Sequence, residues 1–231
     1  MGPLVISHAA CGGHAPENSL AGIRKAIELG SDAIEIDVQV SADGVPVLMH
    51  DLTVDRTTNG TGAVASMTMN ELWGLDAGGQ PIATLEEVLA ETRRKVLLVM
   101  EIKQPGIEEH LAELVEKMDA VGQVMAWSFF PEALEGMRIA DPRVPCALLV
   151  SPEALPKWPR VKEKAIKMGF QGVSVFFAGI DERTVRECRL SGLSLYTWTP
   201  DAPADIERLI GLGVDGVCSN YPDRVLAALR G

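Results

Sequence analysis

Apolar runs of strand length alternate with amphipathic stretches along almost the whole chain. The run "LVISH" at 4–8 precedes a stretch that predicts a helix beginning near Asn18 or Ser19 and ending at Gly30. When the region 34–50 is counted as one unit, the pattern gives about eight such repeats. Alternation of this kind favours parallel strands covered by helices. Eight repeats in 231 residues therefore predict a (β/α)8 barrel, an α/β fold of the TIM type.

An open, doubly wound sheet is the alternative architecture. Its usual fingerprint, G-x-G-x-x-G after the first strand, is absent, because "CGGHAPEN" at 11–18 does not fit it. The least regular part of the chain is 51–83, a polar excursion that contains "TTNGTG" and is longer than a usual connection. We therefore predict one barrel over residues 1–231, with a short insertion at about 51–83.

The second predicted strand, "AIEIDVQV", carries two carboxylates on one face. Aliphatic residues alternate with Glu35 and Asp37, so the aliphatic side chains are expected to face the helices and the two acids to face the barrel axis. Two unpaired carboxylates in such a position are costly. A divalent cation removes that cost, and oxygen ligands suit Mg²⁺ or Ca²⁺.

The strand "VLLVMEIK" repeats this pattern, with Glu101 and Lys103 on one face. Glu101 is positioned to supply a third metal oxygen from the neighbouring strand. His8 follows the first strand, and His50 follows the segment after the two acids. Because the carboxyl ends of barrel strands meet at one mouth, where active sites lie, we expect these groups to form one site.

The stretch from His8 to "RTTNGTG" at 56–62, with "EIK" and "YTW" further on, resembles the glycerophosphodiester phosphodiesterases. The resemblance spans essentially the whole chain. It implies a (β/α)8 barrel that holds a divalent metal, Mg²⁺ or Ca²⁺, at its mouth. It also implies hydrolysis of deacylated phospholipids, which are small glycerophosphodiesters, to glycerol 3-phosphate and an alcohol.

The resemblance extends to individual site residues. They are the metal ligands Glu35, Asp37 and Glu101, the acid–base histidines His8 and His50, the phosphate contact Lys103, and Trp198 as the tryptophan beside the substrate. Two points of the mechanism stay open at this stage. Either histidine can start as the base, and the nucleophile is either water or the neighbouring glycerol hydroxyl.

The chain departs from the family pattern in two places. The first family motif usually reads H-R-G, with the arginine on the phosphate, but here Ala9 and Ala10 follow His8. Near the end, Asn220 stands where the family often has aspartate. The first departure motivates an alternative function, a barrel that binds metal and phosphodiester with weakened catalysis. It also makes His14 a candidate replacement for the missing cation.

Composition narrows the function further. The net charge of −11 disfavours nucleic acid and anionic membrane surfaces as partners. No apolar run reaches the roughly 20 residues that a membrane helix needs. The four cysteines are far apart and suggest neither a zinc site nor disulfides. We expect a cytoplasmic enzyme acting on a small molecule, with its alcohol preference and oligomeric state left open.

Overall fold

Eight parallel strands close into a barrel in the computed structural model, which describes residues 2–230, so Met1 and Gly231 of the predicted unit lie outside it. The strands are β1 (Leu4–Ser7), β2 (Ala33–Val40), β3 (Pro46–Leu48), β4 (Leu97–Ile102), β5 (Val124–Ser128), β6 (Cys146–Val150), β7 (Gly172–Phe176), β8 (Ser194–Trp198) and β9 (Gly216–Ser219). All except β3 form the barrel, and β1 closes it by pairing in parallel with both β2 and β9. The predicted fold is confirmed.

Helices cover the outside of the barrel. The α-helices of residues 2–230, of which α2 belongs to the excursion 51–83, are α1 (Leu20–Leu29), α2 (Met69–Trp73), α3 (Leu85–Thr92), α4 (Glu108–Lys117), α5 (Pro131–Ala140), α6 (Trp158–Lys167), α7 (Glu182–Leu190), α8 (Pro203–Leu212) and α9 (Pro222–Arg230). The first begins and ends as predicted, with the Ser19 side chain accepting from the Gly22 N–H and Gly30 in the left-handed region at φ 87°. Among residues 2–230, no helix is both long and apolar enough to cross a membrane.

Period-two alternation divides the apolar residues of the strands into two packed regions. The aliphatic side chains of β2 that face outward join one large cluster with the helices, as Ile34 and Ile36 illustrate. A smaller cluster fills the barrel interior below the mouth and includes Val99, Trp127 and Tyr196. The Trp127 and Tyr196 rings lie 5.3 Å apart, centroid to centroid. Side chains therefore plug the barrel axis and form a floor beneath the mouth.

The region 34–50 supplies one barrel strand and a hairpin. β3 pairs antiparallel with the end of β2, with Val38 opposite Leu48, and takes no place in the barrel wall. The region 34–50 therefore contributes one strand to the barrel wall, as predicted, and the barrel has eight strands.

The excursion 51–83 is more ordered than its polar sequence indicates. It contains α2, whose start carries a capping box between Thr68 and Glu71. A separate buried cluster holds it together, with members Val47, Met49, Val54, Val64, Met69, Leu72 and Ile82. These apolar residues are scattered among turn residues without a regular period, which explains why periodicity did not reveal the helix.

The interior floor offers a test of the fold. Trp127 is 1% exposed inside the barrel, whereas Trp73 is 53% exposed on α2. Trp127→Ala should lower the free energy of unfolding by about 3–5 kcal/mol, because it leaves a large cavity in packed surroundings. Trp73→Ala should cost much less. Urea denaturation of both variants measures the difference, and equal losses would contradict this packing.

Candidate active site

Three buried carboxylates meet inside the mouth of the barrel. Glu35 and Asp37 come from β2 and Glu101 from β4, and the strand register sets Asp37 directly beside Glu101. One carboxylate oxygen from each lies within 4.8 Å of the others. The alternation that predicts inward-facing acids thus brings all three together.

Lys103 lies between two of these carboxylates. Its Nζ is 2.7 Å from Asp37 Oδ1 and 2.6 Å from Glu101 Oε1. Burial alone would lower the pKa of this lysine, but the two carboxylates outweigh burial and raise it, so the ammonium stays charged. The resemblance implies a phosphate contact for Lys103. In the structure its ammonium group also forms ion pairs with two carboxylates of the acidic cluster.

Burial sets the protonation of the acidic cluster. It raises the pKa of Glu35 well above its usual value, and the negative charges of Asp37 and Glu101 raise it further. Burial also raises the pKa of Glu101. For Asp37 burial acts in the same direction, but Lys103, His50 and the Asn18 hydrogen bond together outweigh it, and the pKa is lowered. Within residues 2–230, Glu35 Oε1 is buried without a hydrogen-bond partner.

His8 is held through a chain of hydrogen bonds that begins at a carboxylate. Asn220 Nδ2 donates to Asp201 Oδ2 at 2.8 Å, and Asn220 Oδ1 lies 2.8 Å from His8 Nδ1. Because an ionised carboxylate only accepts, this bond fixes the orientation of the Asn220 amide and makes His8 Nδ1 the protonated nitrogen. The other nitrogen, Nε2, faces Glu35 Oε2 at 4.0 Å.

His50 is held by its neighbours in sequence and by β2. Its Nδ1 lies 2.7 Å from Asp51 Oδ1. The Gln39 side-chain amide donates to the carbonyls on either side of His50, those of Met49 at 2.8 Å and Asp51 at 2.5 Å. The face of β2 that carries the two acids therefore also anchors the backbone of this histidine.

Both histidines line one cavity of about 400 Å³ at the mouth, together with Ala9, Glu17 and Arg56. Ala9 adds no charge to it. A larger cleft of about 880 Å³ lies between α4 and α5 on the outside of the barrel, and its lining includes neither histidine. We take the smaller cavity as the entrance to the candidate active site, because both histidines line it and His8 Nε2 lies 4.0 Å from Glu35 Oε2 of the acidic cluster.

Aromatic rings form the other half of the mouth. Trp198, at the end of β8, lies edge-on to Phe129 and to Phe176, with both ring centroids 5.4 Å away. Its Nε1 donates to the Ser174 carbonyl at 3.1 Å, which fixes the indole. Phe129 and Phe176 lie at the carboxyl ends of β5 and β7, the same end of the barrel at which Lys103 follows β4. The mouth thus has a charged half and an aromatic half.

Several residues of the site carry no clear signal in the sequence. The stretch Pro16 to Ser19 reads as a helix start, and Ser19 is indeed the cap of α1. Asn18 instead turns to β2, where its Nδ2 donates to Asp37 Oδ2 at 2.6 Å and its Oδ1 accepts from the Asp37 N–H at 3.0 Å. Its left-handed backbone, with φ 54°, makes this reach possible and suits asparagine.

Acid–base side chains beside a carboxylate cluster, at the carboxyl end of a parallel barrel, are typical of enzymes of the TIM-barrel class. The chain belongs to the glycerophosphoryl diester phosphodiesterase family, whose model matches residues 8–224. The resemblance seen in the sequence is therefore confirmed.

Individual relatives agree over nearly full length. A glycerophosphodiester phosphodiesterase from Caldanaerobacter subterraneus subsp. tengcongensis is 36% identical over 244 residues, covering 100% of this chain and 99% of the relative. The crystal structure of a glycerophosphodiester phosphodiesterase from Agrobacterium tumefaciens superposes with a TM-score of 0.85 at 28% identity, covering 98% of this chain and 100% of that one. An Oleispira antarctica phosphodiesterase in complex with the product sn-glycerol-3-phosphate gives a TM-score of 0.87 at 28% identity, covering 100% and 98%.

Asn18 provides a test of the support around Asp37. Asn18→Gly should lower the free energy of unfolding by about 1–3 kcal/mol, because it leaves the buried Asp37 N–H and carboxylate short of partners. The matched control is Asn59→Gly, since exposed Asn59 also accepts a backbone hydrogen bond, from Asp76 at 2.9 Å. Urea denaturation compares the two, and a loss no larger than that of the control would contradict the role of Asn18.

Proposed function

We propose that this protein hydrolyses glycerophosphodiesters to glycerol 3-phosphate and an alcohol, with a divalent cation and two histidines. The observation that carries the proposal is the convergence of Glu35, Asp37 and Glu101 with His8 and His50 at one mouth. Membership of the family supports the same substrate class. Release of glycerol 3-phosphate from glycerophosphocholine in the presence of Mg²⁺ or Ca²⁺ tests it.

The acidic cluster fits a divalent cation. When ionised, the three carboxylates and the Lys103 ammonium leave two negative charges in a buried space. The buried Glu35 Oε1, without a hydrogen-bond partner among the described residues, is available to bind a cation. Glu35, Asp37 and Glu101 would hold the ion, which when bound supplies a positive charge that stabilises the phosphodiester during the reaction. All-oxygen donors favour Mg²⁺ or Ca²⁺.

The two histidines differ in their partners, and this difference supports a division of their roles. His8 Nδ1 donates to an uncharged amide oxygen, that of Asn220, so that in the neutral ring the lone pair is on Nε2, which faces the acidic cluster. His50 Nδ1 instead faces the Asp51 carboxylate, and a carboxylate stabilises an imidazolium. His8 accordingly serves as the base toward the nucleophile, and His50 as the acid that protonates the leaving alkoxide.

The remaining contacts to the substrate follow from the two halves of the mouth. Lys103 adds a fixed positive charge on the side where the phosphate lies, which stabilises the growing negative charge of the transition state. Trp198, with Phe129 and Phe176, offers an apolar wall to the organic part of the diester. A phosphodiester is charged at its centre and less polar at its ends, so the divided mouth matches the molecule.

A binding protein with weakened catalysis is the second candidate. Ala9 favours it, because this side chain lines the cavity where the family usually has an arginine and provides no cation. The orientation of both histidines by dedicated partners favours the enzyme, since simple binding of a diester needs no aligned proton donor and acceptor.

The metal proposal predicts dependence on chelators and on pH. EDTA should abolish turnover, and Asp37→Asn should weaken cation binding measured by calorimetry. Binding should also weaken as the pH falls. Burial raises the pKa of Glu35 and Glu101, so at low pH protons occupy the oxygens that the cation needs. Full turnover after complete chelation, or tighter binding at lower pH, would contradict the proposal.

The assigned roles of the histidines predict different responses to the leaving group. Each alanine variant should lose about 10²–10⁴-fold in kcat on glycerophosphocholine. A 4-nitrophenyl ester of glycerol 3-phosphate has a leaving group that needs no proton. On this ester His50→Ala should recover most of its loss, whereas His8→Ala should not. The reverse pattern would exchange the two roles, and near-normal turnover of either variant would exclude that residue.

Restoring the family arginine tests the effect of Ala9. Ala9→Arg should raise kcat/KM on simple glycerophosphodiesters by roughly tenfold or more, about 1.4 kcal/mol, because a guanidinium binds phosphate bidentately. His14 is the competing cation, but its Nε2 lies 2.6 Å from Asp223 Oδ1. His14→Ala should therefore leave activity unchanged. A large loss in His14→Ala with no gain in Ala9→Arg would show that His14 has replaced the arginine.

A further inference from the structure

Arg56 opens the "RTTNGTG" motif and lies at the mouth without a part in the chemistry described so far. Its Nε donates to Asp51 Oδ2 at 2.6 Å and its Nη2 to Asp51 Oδ1 at 3.2 Å. On its other side, Nη1 and Nη2 donate to the Glu17 carboxylate at 3.0 and 2.7 Å. One guanidinium thus joins two loops of the mouth through paired hydrogen bonds.

We propose that Arg56 is a positioning residue for His50, and that it acts by clamping Asp51. The proposal rests on the function proposed above, in which His50 protonates the leaving group. Asp51 Oδ1 is the atom that faces His50 Nδ1, and Arg56 holds both oxygens of the same carboxylate. The orientation of the His50 imidazole therefore depends on Arg56 through Asp51, and both of these residues belong to the excursion 51–83.

Glu17 anchors the Arg56 guanidinium on the side away from Asp51. It belongs to the loop that leads from β1 into α1, only one residue before Asn18, which is bound to Asp37. The Glu17 carboxylate meets Arg56 in a two-bond fork, which restricts the guanidinium in direction as well as in distance. Arg56 thereby ties the loop that carries His50 to the loop beside the acidic cluster.

Arg56 has little capacity left for the phosphodiester itself. A guanidinium has five N–H donors, and the hydrogen bonds to Asp51 and Glu17 use four of them. A bidentate contact with phosphate would have to break the clamp. This count favours an indirect role for Arg56. It disfavours Arg56 as a substitute for the family arginine whose position Ala9 occupies.

The charge of Asp51 agrees with this role. The hydrogen bond from Arg56 is the main cause that lowers the pKa of Asp51 to about 2, and His50 adds to it. The carboxylate consequently stays ionised at all pH values at which the enzyme would work, and it remains an acceptor for His50 Nδ1.

The experiment compares Arg56→Gln with a matched pair elsewhere. Arg24 also makes two hydrogen bonds to a carboxylate, that of Glu91, on the helical surface. On glycerophosphocholine, Arg56→Gln should lower kcat about 10–100-fold with little change in KM, a part of what a whole proton transfer contributes. Arg24→Gln should leave both constants unchanged. Arg56→Lys should restore only part of the loss, because lysine is a point charge without the planar fork.

A substrate with a better leaving group distinguishes loss of His50 positioning from general damage to the fold. On the 4-nitrophenyl ester of glycerol 3-phosphate, the loss in Arg56→Gln should nearly vanish. The combined variant with Asp51→Asn should lose less than the product of the two single losses, because both changes act on one unit. A rise in KM at constant kcat would overturn the proposal in favour of direct phosphate binding. An equal loss on both substrates would overturn it in favour of a structural role.

A second measurement does not depend on turnover. In ¹⁵N spectra of histidine-labelled protein, recorded at a pH high enough for the rings to be neutral, His50 should keep its proton on Nδ1, and Arg56→Gln should shift this ring toward a mixture of tautomers while His8 stays unchanged. An unchanged His50 signal overturns the proposal. If the spectra change as expected but the unaltered protein hydrolyses neither substrate, the positioning role stands and the proposed function fails.

Discussion

The structure depends on the burial of three carboxylates at the end of the barrel core, where one oxygen from each lies within 4.8 Å of the others. Isolated charges are expensive in such surroundings, and like charges raise that cost. Three donor groups from different parts of the chain stabilise these carboxylates. The Ala9 N–H donates to Glu35 at 2.8 Å, the Asn18 amide donates to Asp37, and Lys103 lies between Asp37 and Glu101. The first two come from the loop between β1 and α1, which explains why that loop is so tightly shaped.

The backbone of this loop adopts unusual conformations. Ala9, Ala10 and Asn18 all have positive φ values, of 47°, 69° and 54°, in a region that side chains other than glycine and asparagine seldom enter. All three hold the loop against β2, and two of them serve the acidic cluster directly. Ala9 directs its N–H at the Glu35 side chain, Ala10 donates to the Glu35 carbonyl, and Asn18 faces Asp37. Local strain is thus concentrated where the buried charges need hydrogen bonds.

Much of this arrangement could be predicted from the sequence, for identifiable reasons. Strand–helix alternation predicted the barrel, and the two-residue period of β2 and β4 predicted that the acids share its interior. Other features depend on three-dimensional contacts that have no period. Lys103 reads as a residue at the end of a strand, but its position between two carboxylates follows from the register of β2 and β4. Gln39 on β2, and Asp201 and Arg56 on loops, bind partners that come near them only after folding. The short α2 stayed hidden because its apolar residues are irregularly spaced.

The β3 hairpin has a consequence for how the molecule opens. His8 follows β1, a strand of the barrel wall that is paired on both sides. His50 follows a strand of three residues that lies outside the barrel wall and packs on a cluster of its own. Regions with separate clusters can open without global unfolding, and amide hydrogen exchange reports such openings individually. A transient opening of this part would move His50 away from the mouth while the acidic cluster stayed assembled.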